Sequence, residues 1–183
     1  VVKLLKSVQN GAERAAAIVR DLRAFIHGRA DEQGEVNLAK AVNQNLNLLT
    51  HETKNRISIE EYGAEDVPTV CCNEGQLHQV FVNLITNACN AAHDEGGEVA
   101  LSTLPHGRDR VLIRVEDNGV GIGDEDLQRV FEPFFSTRRR GKGTGLGLPI
   151  VKNIIEQHQG AIEIESKMGG GTRVSVELPC CKP

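Results

Sequence analysis

No run of apolar residues in this chain approaches the roughly 20 that a helix needs to cross a membrane, and no leader with a charged start and an apolar middle opens it. The first residue is Val1 rather than methionine, which points to an excised fragment. The expected setting is the cytoplasm, with a membrane anchor left open for a longer parent protein. A basic excess is also lacking: 21 lysines and arginines face 25 acidic residues, for a net charge of −4. No nucleic-acid partner is therefore expected. The single basic run is Arg138-Arg139-Arg140. Five cysteines stand at 71, 72, 89, 180 and 181 without a Cys-x-x-Cys pair. That pattern argues against zinc and predicts reduced thiols. What remains is ordinary for a globular protein, 39% hydrophobic and 25% charged over 183 residues. This is enough for one well-cored domain and an appendage.

The appendage comes first. Leu5, Val8, Ala12, Ala15, Val19, Leu22 and Ile26 recur in alternating steps of three and four, the seam of a helix that packs in a bundle. One helix cannot bury its own stripe, so a partner helix is implied. The expected division is a bundle helix over 1–28, a polar linker over 29–36 and a second domain over 37–183. In that domain Asn37 is placed to cap a helix reaching Thr53, and a strong helix runs from Glu74 to about Asp94, ended by Gly96-Gly97. Leu146 to about His158 reads as a third. Short strands are expected at 57–61 and 69–72. Val99–Leu104 with Arg110–Glu116, and Ala161–Ser166 with Thr172–Leu178, read as hairpins. Helices and largely antiparallel strands then form a two-layer α/β sandwich.

Three patterns carry chemistry. Asn83 and Asn87 are four residues apart on one helix face, and Asn90 continues the stripe. Asparagine is a mediocre helix former, and its carbonyl is a hard oxygen ligand that suits Mg²⁺. Alone, the pattern fits a solvated face equally well. Asp117 ends an apolar strand and precedes Gly119 and Gly121. An ionised carboxylate only accepts hydrogen bonds. It would pair with the amine of adenine and repel the carbonyl of guanine, although Asp-Asn-Gly is also common turn chemistry. Gly141-Lys142-Gly143-Thr144-Gly145-Leu146-Gly147-Leu148 opens a helix, where backbone N–H groups favour phosphate. A Walker loop does not fit, because Ser136 stands at its first glycine and Gly143 follows Lys142. A dinucleotide fingerprint fails at Ile150.

Taken together these patterns resemble the sensor histidine kinases. Asn83–Asn87 is similar to their N box and Asp117–Ile122 to their G1 box. Phe131-Glu132-Pro133-Phe134-Phe135-Ser136-Thr137 resembles the F box, Gly141–Leu148 the G2 box, and Gly169–Thr172 the final glycine turn. The resemblance runs from about residue 35 to 178. It implies the Bergerat-type ATP-binding fold, a mixed sheet with helices on one face, shared with gyrase, heat-shock chaperone and mismatch-repair ATPases and here preceded by a long bundle helix. It further implies ATP and Mg²⁺ as ligands. Asn83 and Asn87 would meet the metal and triphosphate, with Asn90 beside them. Asp117 would read adenine, and Gly119, Gly121 and Ile122 would shape the base pocket. Arg138 and Lys142 would meet the β- and γ-phosphates. Gly143, Thr144, Gly145, Leu146, Gly147 and Leu148 would wrap the triphosphate, and Thr172 would lie near the base. Phe134 and Phe135 would anchor the lid or dock on the bundle, whereas Phe131 reads as core.

The departures are informative. The family's ATPases place a water-activating glutamate where this chain has Asn83, and an amide has no useful basicity. Many kinases carry Lys-Tyr at Asn90-Ala91. The stretch Phe134-Phe135-Ser136-Thr137-Arg138 resembles the nitrogen-regulation type of kinase, with arginine for lysine. None of the six histidines is followed by glutamate and then, three residues on, proline. The expected partners are therefore a first bundle helix bearing the phosphoacceptor histidine, a response-regulator receiver domain, and a second copy of the full-length protein. Three other readings remain at this point: an ATPase with coupled motion, a non-catalytic nucleotide-sensing and interaction module and, as a minor third, a protein serine kinase of the same superfamily.

Overall fold

Asparagines at two chain positions start helices in the same way. Asn37 Oδ1 accepts the Lys40 N–H at 3.0 Å, opening α1 over Leu38–Thr53. Asn73 Oδ1 accepts the Gln76 N–H at 2.9 Å, opening α2 over Glu74–Ala91. Each side chain satisfies one of the N–H groups that a helix start leaves without a partner. The computed structural model describes residues 11–12, 15–16, 19, 33–53, 57–63, 67–93, 95–137 and 143–181. Most of the expected bundle helix, including Leu5, Val8, Leu22 and Ile26, lies outside the described residues. Gly11, Ala12, Ala15, Ala16 and Val19 are helical and exposed.

Strands β1 (Gly34–Val36) and β3 (Val70–Cys72) form an antiparallel ribbon. The last three residues of the stretch read as linker are thus a strand. The main sheet contains β2 (Ile57–Tyr62), β4 (Gly97–His106), β5 (Arg110–Asp117), β6 (Ala161–Ser166) and β7 (Thr172–Pro179), in the order β2-β4-β5-β7-β6. Only β2 and β4 run parallel, so the sheet is mixed. A short helix α3 spans Asp124–Leu127, and α4 spans Gly147–Gln157. Helices α2 and α4 pack on each other and cover one sheet face, and α1 lies against α2. Between helices and sheet sit Phe81, Leu84, Ile85, Leu101, Ile113, Ile150, Ile155 and Val176, all essentially inaccessible. On the far face Arg173 bridges Glu116 at 2.9 Å and Glu165 at 3.2 Å, an exposed ladder of small energetic weight.

Helix α2 stops at Ala91, short of the expected Asp94. The Ala91 carbonyl accepts the Val120 N–H at 3.2 Å, so the turn after β5 takes the bond that another helical turn would need. His158 ends α4, with Nδ1 on the Ile154 carbonyl at 2.8 Å, and its Nε2 accepts the Asn73 N–H at 3.1 Å. Those roles require the neutral ring protonated on Nδ1, and they tie the end of α4 to the start of α2.

The expectation of five reduced thiols is overturned by a disulfide between Cys71 and Cys181. Its cause is non-local. The Cys181 N–H donates to the Thr69 carbonyl at 2.9 Å, and Cys180 bridges Val70 antiparallel. The chain end therefore lies along β3, with the two cysteine Cα atoms 4.9 Å apart. Cys72 and Cys89 are buried and take no part in the disulfide, and burial, aided by the Glu74 charge, pushes the Cys72 thiol up to about 11. Because the bond closes a separation of 110 residues, its reduction should cost about 2–4 kcal/mol. Urea denaturation with and without dithiothreitol measures this, and Cys71→Ser should reproduce the loss under oxidising conditions.

Candidate functional site

A cleft of about 360 Å³ opens between the C-terminal half of α2, the ends of β5 and β7, and the start of α4. Asn83 and Asn87 lie along one wall. Their side chains face Gly147: a Cβ built there would sit 3.5 Å from Asn83 Oδ1 and 3.7 Å from Asn87 Nδ2. Asn83 Nδ2 is buried and has no hydrogen-bond partner among the described residues. A buried donor without a partner is costly, and the oxygen of the same amide is the atom towards Gly147. The Asn83 amide turned over would present its NH₂ there instead. These amides therefore fit either a phosphate oxygen or a cation, and the first N–H groups of α4 lie opposite them. Asn90 also lines the cleft, but its Nδ2 donates to the Thr86 carbonyl at 2.7 Å.

Asp117 stands at the other end. Its Oδ1 accepts the Gly119 N–H at 2.9 Å. Burial raises its carboxyl above the ordinary range, partly offset by hydrogen bonds from the Gly119 and Thr172 backbone. Val115, Ile164 and Val174 form an apolar floor beside it, giving a slot with the Asp117 carboxyl at its end. The turn that carries Asp117 is fixed on three sides. Asn118 accepts the Glu98 N–H and donates to the Gly96 carbonyl, both at 2.9 Å. The Val120 carbonyl accepts the Gly169 N–H at 2.7 Å, and the Gly119 carbonyl accepts the Gly171 N–H at 3.1 Å. Ser166 Oγ accepts the Ile122 N–H at 2.8 Å.

The remaining site residues divide. Gly121, Ile122, Gly143, Thr144, Gly145, Gly147, Leu148 and Thr172 line the cleft. Gly119 does not; it lies against the Ala91 backbone. Leu146 is also not among the lining residues, because its side chain is buried in the core. Gly141, Lys142 and Arg138 lie outside the described residues. Phe131 is not the core residue expected: it is half-buried, with the Lys152 ammonium 5.0 Å from its ring centre. Phe134 is exposed, and its φ of +67° is unusual for a bulky residue. Its N–H is held by the Gly145 carbonyl at 2.9 Å. Phe135 lines the cleft, with Arg129 4.3 Å above its ring. It is the only aromatic among the described lining residues. The sequence reading missed Ser166 and the apolar floor. Alternation in β5, β6 and β7 marks the floor as buried but does not separate slot from core.

Comparison with known proteins agrees with this geometry. Residues 72–182 match the family described as "Histidine kinase-, DNA gyrase B-, and HSP90-like ATPase". Sporulation kinase E of Bacillus subtilis is 32% identical over 91% of this chain and 22% of its own length. The sensory histidine kinase/phosphatase NtrB of Azospirillum brasilense is 34% identical over 90% of this chain and 44% of its own. The chain thus spans less than half the length of these relatives. Among solved structures, full-length ShkA in complex with AMPPNP superimposes with a TM-score of 0.82 at 26% identity, covering 99% of this chain and 39% of that one. The catalytic domain of histidine kinase ThkA gives 0.69 at 29% identity, covering 81% and 98%. A mixed sheet with helices on one face, a cleft between paired amides and a desolvated aspartate, and a matching model over 72–182 place this chain in the histidine kinase-, gyrase- and HSP90-like ATPase family, as a catalytic ATP-binding domain of the sensor-kinase kind.

Proposed function

We propose that the cleft binds Mg²⁺–ATP and that the chain directs the γ-phosphoryl group to a histidine outside it. The observation that carries the reading is the Asn83 amide, with Oδ1 towards Gly147 at the start of α4 and a buried Nδ2 that has no partner among the described residues, in the same cleft that Asp117 lines. Asp117 accepts the adenine amine, and the Val115, Ile164 and Val174 floor takes the ring. Asn83 and Asn87 hold Mg²⁺ and the phosphates, the metal neutralising phosphate charge when bound. Thr144, Gly145 and Gly147 follow the triphosphate into the helix N-terminus. Lys142 and Arg138 are assigned to the β- and γ-phosphates on the motif resemblance. Transfer breaks the bond between the γ-phosphorus and the β,γ-bridging oxygen and forms a phosphorus–nitrogen bond to the acceptor imidazole, which gives up a proton. An amide at Asn83 supplies no base for water, which favours transfer over hydrolysis.

The same reading assigns 1–28 to the second helix of a dimerising bundle, the segment up to about residue 36 to its connection, and 37–183 to the catalytic domain. The phosphoacceptor helix, the receiver aspartate that takes the phosphoryl group next, the homodimer and the cytoplasmic setting belong to the whole protein. The nitrogen-regulation type is supported by Phe134-Phe135-Ser136-Thr137-Arg138 and by the likeness to NtrB. Full-length ShkA with AMPPNP, an ATP analogue, supports the choice of nucleotide. Titration with Mg²⁺–ATP, followed by γ-labelled ATP and a separately supplied first bundle helix with its histidine, tests the proposal. Saturable binding and an acid-labile label on that helix are expected. Binding without label would favour a nucleotide-sensing module, and rapid hydrolysis by the chain alone would make it an ATPase.

A further inference from the structure

We propose that Ser166 is a positioning residue for base selectivity, acting through the hydroxyl of Thr172. The proposal rests on the adenine-nucleotide reading of the cleft. Ser166 closes β6 and Thr172 opens β7, and the two are paired in register. The Ser166 hydroxyl makes three contacts: the Gly171 carbonyl at 2.8 Å, the Ile122 N–H at 2.8 Å and Thr172 Oγ1 at 2.9 Å.

A hydroxyl has one proton and two lone pairs. The Gly171 carbonyl can only accept, so it takes the Ser166 proton. The Ile122 N–H can only donate, so it fills one lone pair. Thr172 is left to donate its own proton into the second. The Thr172 hydroxyl is thereby used up as a donor, and its remaining capacity is as an acceptor.

Thr172 lines the cleft and is paired across the sheet with Asp117. The ionised Asp117 carboxylate is acceptor-only as well. Ser166 thus makes the base end of the cleft a place of acceptors alone. A purine with an exocyclic amine at position 6 can donate there. A 6-oxo purine brings a carbonyl that finds no donor. Remove the Ser166 hydroxyl, and the Thr172 proton is free to turn towards the cleft and meet that carbonyl.

The test compares dissociation constants of the full chain for Mg²⁺–ATP and Mg²⁺–ITP, which differ in base edge and share the triphosphate. Ser166→Ala should shrink the preference for ATP about tenfold, the size of one good base-edge hydrogen bond. Thr172→Val has no hydroxyl to turn, so adding Ser166→Ala to it should shrink the preference no further. Should Ser166→Ala fail to fold, Ser166→Cys keeps the volume with weaker hydrogen bonds and carries the same expectation. Equal weakening of both nucleotides, an unchanged ratio, or an equal loss of preference with Thr172→Val present would overturn the proposal. A wild-type chain that binds neither nucleotide would instead remove the adenine reading on which it rests.

Discussion

Asp117→Asn should weaken ATP binding about a hundredfold while leaving the fold at least as stable as the wild type. The carboxylate has two oxygens, and one is committed to the Gly119 N–H at 2.9 Å, with the Thr172 N–H also directed to the group. An amide has one oxygen. Turned to the backbone, it presents its NH₂ to the adenine amine, donor against donor. Turned to the base, it leaves backbone donors unpaired in a half-buried site. Either arrangement forfeits a charge-assisted bond and leaves a donor unsatisfied, each worth about 1–3 kcal/mol. Stability moves the other way. Burial raises the Asp117 carboxyl, so the folded state favours its neutral form. A raised folded-state value means stability that is greatest at low pH and is lost as pH rises through the Asp117 titration. At neutral pH the wild type therefore carries a desolvated charge that the variant lacks. Calorimetric titration and a thermal melt of the same samples check both halves. ATP affinity should also fall on acidification sooner than an ordinary aspartate would dictate.

Gly121→Ala should destabilise the chain by about 3 kcal/mol or more and leave no measurable ATP binding. Gly121 has φ +69°, and a Cβ there would overlap the Lys167 carbonyl. The left-handed conformation alone costs a side-chain residue about 1–2 kcal/mol. The overlap adds more, because relief requires the turn after Asp117 to leave the turn between β6 and β7. That separation breaks the 2.7 Å bond from Gly169 and the 2.8 Å bond to Ser166. Gly169→Ala is the control. Its φ is +73° with nothing within 4 Å of a built Cβ, so it should pay the conformational cost alone and keep binding ATP. Urea denaturation separates the two.

The contrast between those glycines shows what could be read from the sequence. Both stand in recognisable turns, and the motifs around Asn83, Asp117 and Gly143 signalled a nucleotide site because each is a short local pattern. Helices α1, α2 and α4 were legible from apolar spacing and, for α1, from the capping Asn37. What sequence did not disclose arises from contacts between distant segments. Strand β1 is three residues long, and its partner lies 36 residues on, so no periodicity marks it. Ala91 ends α2 because Val120 claims its carbonyl, a fact absent from the helix itself. Ser166 is a lone serine at a strand end. Leu146 sits within the glycine pattern, yet its apolar side chain goes to the core. Phe131 is half-buried, its ring beside the Lys152 ammonium of α4 and not in the core.

The Cys71–Cys181 bond has a topological consequence. All the described residues that line the cleft fall between Asn83 and Val174, inside the loop that the bond closes. The nucleotide site is thus built wholly from a covalent ring. A single backbone cut anywhere between 71 and 181 opens that ring without dividing the molecule: the pieces stay tethered until the sulfurs are reduced. In the oxidised protein, cleavage of the glycine-rich loop is therefore a change of connectivity and not a loss of mass.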